Sequence, residues 1–203
     1  MRILFASFLP TLAALFFVGC QTYDSRLASR DTEYMNGRVS IDKPKIVPGG
    51  GYDPVSYWDG DNVSGAPSVK IFLSEQRAYF YKGDQLVGVS QISSGREGYD
   101  TPSGNYKIIQ KNKDHISNLY GDFVDASGNV VKANVSVKDP RPPGSSFKGA
   151  SMPHFMRVVG GVGMHAGFLP GYAASHGCIR MPAFMAETFF NNVVKGTPVE
   201  LHN

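Results

Sequence analysis

The rhythm of apolar and polar positions changes along the chain. Ile3 to Val18 is almost unbroken apolar sequence behind Arg2. Between residues 21 and 65 polar side chains dominate, interrupted by Pro44, Pro48, Gly49-Gly50-Gly51 and Pro54. No helical or strand period is sustained there. From Val69 the pattern becomes two-fold: Val69, Ile71 and Leu73 alternate with Lys70, Phe72 and Ser74, which predicts a strand. Ala78 to Tyr81, the turn Lys82-Gly83-Asp84 and Leu86 to Val89 predict a hairpin, with Gln91 to Ser94 extending its second strand. Thr101-Pro102-Ser103-Gly104 is a turn, and Tyr106 and Ile108 open another strand. Residues 138–154 hold Pro140, Pro142, Pro143, Gly144, Gly149 and Pro153, which predicts a long loop over a binding surface. Phe155 to Val159 and Thr197 to Leu201 read as strands. A single helix starts at Pro182, buries Met185, Phe189 and Val193, and ends with Lys195 and Gly196. Tyr52, Val55, Tyr57 and Trp58 are expected to pack on the domain as an aromatic clasp. The chain is therefore mainly β, with one late α-helix and a long Pro/Gly-rich loop.

Composition narrows the class. With 42% hydrophobic residues the chain can build a core, and its 23 Gly and 13 Pro suit turns better than a helical bundle. A formal charge of +3 is too small to imply nucleic acid. Two cysteines leave no room for a disulfide scaffold or a cysteine-rich zinc module.

The apolar start has a charged tip and a small residue before Cys20, as secretory signals do. It is short for a membrane span and contains Pro10. Phe17-Val18-Gly19-Cys20 resembles a bacterial lipoprotein box. That resemblance implies a signal peptide over 1–19 and lipidation of Cys20, and the polar, Pro- and Gly-broken stretch behind it reads as a tether or N-terminal arm over 20–65 ahead of a domain over 66–203. The resemblance places the domain in the cell envelope, facing the periplasm, anchored in the outer membrane if the host is diderm. Multiple acyl chains would hold it where one chain is marginal. With Cys20 lipidated, Cys178 is the remaining thiol, and an exported protein must use or bury it.

The chemistry concentrates between Gly163 and Met181, which holds Cys178, His165 and His176. A thiolate is the reactive form of cysteine, and a neighbouring imidazole lowers a thiol pKa. His176 precedes Cys178 by two positions, so an extended segment puts both on one face. His165 comes within reach if the Gly- and Pro-containing loop folds back. The N–H groups of Gly177 and Cys178 suit an oxyanion. Arg180 suits a substrate carboxylate. Ser175 either binds substrate or closes a turn. His115 and His154 read as loop residues, and Tyr99 and Tyr120 as groove or core aromatics. A closed zinc site needs four ligands, and no spacing here supplies them, so no metal is expected. The glycines from Gly161 to Gly163 lack the following helix that a dinucleotide fingerprint requires. They suit close chain approach instead.

Ser175-His176-Gly177-Cys178-Ile179-Arg180-Met181, with His165 upstream, resembles the catalytic motif of the YkuD-type L,D-transpeptidases. Leu73-Ser74-Glu75-Gln76-Arg77, Thr101-Pro102-Ser103-Gly104 and Gly196-Thr197-Pro198-Val199 match further family segments in order. The span from His165 to Ser175 is shorter than the family's common spacing, and Ala166 replaces a frequent Gly or Ser. The resemblance implies a β-sandwich with the cysteine in a cleft. It implies that Cys178 attacks a peptidoglycan tetrapeptide stem at meso-diaminopimelate, expels D-Ala and passes the acyl group to an amine. His165 would be the base, while His176, Gly177 and Ser175 would shape the oxyanion site and its surroundings. Arg180 would bind a substrate carboxylate. No cofactor is implied, and carbapenems would acylate Cys178. Two other readings use the same features. One is an L,D-carboxypeptidase or wall-bond-cleaving hydrolase with this site. The other is a lipid-anchored wall-binding protein without catalysis.

Overall fold

The computed structural model describes residues 55–203, and upstream of them the backbone of two short strands. These strands, β1 (Asp31–Tyr34) and β2 (Gly37–Ser40), pair antiparallel with Asp31 opposite Ser40. They belong to a separate compact unit ending at Ile41 and are an element that the arm's irregular pattern did not predict. The stretch read as a signal peptide, Cys20, Tyr52 and, apart from those two strands, the arm before residue 55 lie outside the described residues.

The larger unit is built from two sheets. One contains β3 (Tyr57–Trp58), β4 (Pro67–Phe72), β5 (Arg77–Lys82), β6 (Gln85–Gln91), β7 (Gly104–Lys107) and β13 (Pro198–His202), in the order β3-β6-β5-β4-β13-β7. The other contains β8 (Gln110–Val124), β9 (Val130–Ser136), β10 (Ser146–Val159), β11 (Val162–Ala166) and β12 (Ile179–Met181), in the order β12-β11-β10-β8-β9. The helix α1 (Ala183–Asn192) joins β12 to β13.

Period-two alternation places one face of each strand in the core. Val69 and Ile71 of β4, and Ala78 and Phe80 of β5, are fully buried, as predicted from the alternation. Met156, Val158, Met164, Ile179 and Met181 meet them from the second sheet, and α1 adds Met185, Ala186 and Phe189. Trp58 packs edge-on against Phe80 with centroids 5.1 Å apart, and 6.5 Å from Phe189. The clasp is thus present at Trp58. The β5–β6 hairpin sets Lys82 opposite Gln85 across Gly83, whose φ of +60° suits glycine.

Two expectations change. Residues 138–154 are loop only as far as Ser145; from Ser146 they form β10, the middle strand of the second sheet. Pro153 is accommodated because β10 is irregular. Its register against β8 shifts between Gly149 and Ser151, and His154 adopts φ +57°. The helix stops at Asn192, short of Lys195. Tertiary partners hold its end and the chain beyond: Lys111 Nζ donates to the Val193 carbonyl at 2.7 Å, and further on the Gly196 N–H donates to the Ile108 carbonyl at 2.8 Å.

Candidate active site

Strands β11 and β12 run parallel, with Met164 opposite Ile179 and His165 opposite Arg180. Alternation then puts His165, Cys178 and Arg180 on one face of this sheet edge. All three line a cleft of about 230 Å³, walled by Tyr120 and Asp122 of β8, Asn134 of β9 and Met152 of β10. Two roomier hollows, of about 500 and 490 Å³, contain no cysteine or histidine.

The segment after β6 ties this edge to the first sheet. Ser93 bridges to Arg180, and Gly95 to Ser175. A Cβ at Gly95 would sit 2.0 Å from the Tyr99 carbonyl oxygen, so only glycine fits this tight return. The Thr101 hydroxyl accepts from the Gly95 N–H at 2.9 Å and donates to the Gly177 carbonyl at 2.8 Å. Gln76, at φ +52°, accepts from the Ser94 N–H at 2.9 Å and donates to Ser94 Oγ at 2.7 Å.

Ser175 shapes the turn before the cysteine. Its hydroxyl is buried, accepts from the Gly177 N–H at 3.0 Å and donates to the Cys178 carbonyl at 2.5 Å. It therefore closes a turn, the second of the two roles open to it. The Gly177 N–H is consumed by that bond and is not free for an oxyanion. The Cys178 N–H has no partner among the described residues and remains the backbone donor available. Ser175→Ala is expected to leave a buried donor and acceptor unpaired, costing about 1–3 kcal/mol of stability. Urea denaturation measures this; an unchanged midpoint would show the turn to be held by other contacts.

His165 is 5% exposed. Its Nδ1 lies 2.8 Å from the Ala166 carbonyl oxygen, which can only accept. The proton therefore sits on Nδ1, leaving the Nε2 lone pair free. Burial is the main cause holding this imidazole down at about 4, with Arg180 and His115 adding to it and the Ala166 bond opposing. Burial likewise pushes the Cys178 thiol up, against the Gly163 backbone, Arg157 and Arg180, which favour the thiolate. Its sulfur is 3.6 Å from the Gly161 carbonyl oxygen. The resting pair is a neutral thiol and a neutral imidazole. The expectation that an imidazole lowers this thiol pKa is not met, because His165 carries no charge at neutral pH.

His176 does not share the extended face expected with Cys178. Gly177, at φ +105°, turns the chain between them. The His176 ring stacks on Tyr120 with centroids 4.5 Å apart, meets Tyr99 edge-on and approaches Arg96 Nη2 at 2.9 Å. Arg180 is half-buried, its stem lies over Gly167, and it has no ion pair among the described residues. His115 and His154 sit on β8 and β10 rather than in loops, His115 stacked on Phe155 at 4.2 Å. Arg96, Thr101 and Gln76 shape the site without having been assigned a role in it; Gln76 and Thr101 were visible within segments that match the family, and Arg96 left no trace.

Comparison with known proteins agrees with this architecture. The family model described as the L,D-transpeptidase catalytic domain, YkuD, matches residues 66–201. The L,D-transpeptidase from Mycobacterium smegmatis superposes with a TM-score of 0.52 at 17% identity, covering 68% of this chain and 59% of that one. The L,D-transpeptidase from Xylanimonas cellulosilytica gives 0.50 at 20% identity, covering 74% and 65%. The Ldtfm-avibactam carbamoyl enzyme gives 0.50 at 22% identity, covering 68% and 49%. This chain thus spans about half to two thirds of their lengths, and identities this low establish the shared fold. No curated protein sequence matches. The family model spans the two sheets apart from β3 and the last residue of β13, together with the late helix and the cleft, and on that extent of match the chain belongs to the L,D-transpeptidase catalytic-domain family.

Proposed function

We propose that the chain is a peptidoglycan L,D-transpeptidase that works through a Cys178 thioester. The observation that supports this most directly is the His165 tautomer: Nδ1–H is committed to the Ala166 carbonyl at 2.8 Å, and Nε2 is left to take a proton in the cleft shared with Cys178. The Cys178 sulfur attacks the carbonyl between meso-diaminopimelate and D-Ala as His165 Nε2 takes the thiol proton. The oxyanion meets the Cys178 N–H. Collapse breaks the C–N bond, and His165 returns the proton to the departing D-Ala amine. An acceptor amine then attacks the thioester and gives its proton to His165, and the thiol leaves reprotonated. The new amide is a 3-3 crosslink or a protein attachment.

The unpaired Arg180 guanidinium suits a stem carboxylate, since a half-buried cation gains most from a bidentate partner. Lipidation at Cys20 and delivery to the periplasmic face of the envelope complete the reading. Carbapenems belong to it as covalent inhibitors acylating Cys178.

The test is a stem-peptide assay on the full chain. Incubation with disaccharide-tetrapeptide, followed by mass, is expected to give a dimer with loss of D-Ala. Tripeptide alone would make water the acceptor and the chain a carboxypeptidase. No product, with a carbapenem adduct on Cys178, would mean a competent thiol acting on another substrate.

A further inference from the structure

The hydrogen bond between Arg96 and His176 joins residues 80 positions apart. A guanidinium has no lone pair to offer, so Arg96 Nη2 donates and His176 Nε2 accepts at 2.9 Å. The neutral ring must then carry its proton on Nδ1. That N–H has no partner among the described residues, and His176 lines the cleft beside Cys178.

Arg96 is itself held from several sides. Its backbone N–H donates to the Ser175 carbonyl at 3.1 Å, and its guanidinium lies 4.3 Å from the Tyr99 ring centroid. The Tyr99 N–H donates back to the Arg96 carbonyl at 2.9 Å. This much anchoring exceeds what a surface cation needs, and it ends on one imidazole nitrogen.

We propose that Arg96 is a positioning residue that fixes His176 as a neutral Nδ1–H donor facing the bound acyl chain. The proposal rests on the acyl-transfer reading of the cleft. Protonating His176 would set an N–H against the guanidinium, so Arg96 opposes the charged ring. The groups facing His176 are Arg96 and Tyr99 from the segment after β6, Tyr120 from β8, Asp139 after β9, and Cys178 and Arg180 at β12. Burial, Arg96 and Arg180 hold the ring neutral, and Asp139 alone works the other way.

The experiment compares the full chain with Arg96→Met and Arg96→Lys. Nitrogen-15 NMR of histidine-labelled protein reads the tautomer and titration of His176 without any substrate. In the unaltered chain His176 is expected to carry its hydrogen on Nδ1 when neutral and to titrate below a free imidazole. In Arg96→Met its titration should move upward, with burial and Arg180 still holding it down, and the acid limb of kcat/KM for stem peptide should move to higher pH with it. The ratio of its activity at pH 5.5 to that at pH 8 should fall clearly below the same ratio in the unaltered chain. Arg96→Lys keeps one donor and should restore the flatter profile. A His176 proton on Nε2 in the unaltered chain would overturn the proposal. So would an Arg96→Met variant whose activity is lowered equally at every pH. If stem peptide is not turned over at all, the NMR outcome still decides the role of Arg96, and only the acyl-transfer reading fails.

Discussion

Replacing Cys178 with Ala is expected to abolish turnover of stem peptide, lowering kcat by about 10³-fold or more. Cys178 is the one thiol among the described residues, and it shares its cleft with a neutral imidazole whose free nitrogen is an acceptor. A nucleophile and its base act as a unit, so removing one forfeits nearly all that both supply. The substitution deletes a single sulfur from a half-buried position, so the fold should persist. An unshifted denaturation midpoint then separates lost chemistry from lost structure. The same variant should lose any carbapenem adduct, read by intact mass. Cys178→Ser should be almost as inactive: burial already pushes the thiol up, and a hydroxyl starts from a far higher pKa. Turnover that survives Cys178→Ala would remove the cysteine mechanism.

The sequence exposed those parts of this fold that depend on neighbours along the chain. Val69 and Ile71, or Ala78 and Phe80, are buried because alternate residues of a strand face one way, and that period is local. The Ser-His-Gly-Cys turn was visible as a motif for the same reason. What stayed hidden depends on contacts between distant segments. Pro153 argued against a strand, yet β10 passes through it because β8 pairs with it along most of its length and absorbs a shifted register. Arg96 reaches His176 only because Gly95 and Ser175 bridge two sheets. The direction of His176 is set by one dihedral, at Gly177, which no spacing rule reports. The protonation states were hidden most of all. A cysteine near two histidines reads as a thiolate, but burial reverses that reading for both partners, and burial belongs to the packed core.

The buried His165 ties activity and stability to the same proton, with a sign that can be checked. In the unfolded chain its imidazole titrates near 6.5; in the native cleft it titrates at about 4. Between these values the unfolded state binds the proton and the native state does not, so acid favours unfolding. Stability from this residue is intact above pH 6.5 and declines as pH falls towards 4, by about 3 kcal/mol across the window. His115 and His176 are also held down by burial and add to the same slope. The His165→Gln variant isolates the one residue: its stability should fall less between pH 7 and pH 4.5 than that of the unaltered chain, by urea midpoints at both pH values. The variant should also lose about 10²–10⁴ in kcat, the usual worth of a positioned base. In the unaltered chain the base stays unprotonated through pH 5, so the acid limb of kcat/KM due to His165 belongs near 4. A limb at 6.5 that vanished in no variant but His165→Gln, or an unchanged stability slope in that variant, would contradict a buried neutral imidazole. It would require instead a solvated His165 paired with a thiolate, the arrangement that burial of Cys178 and His165 disfavours.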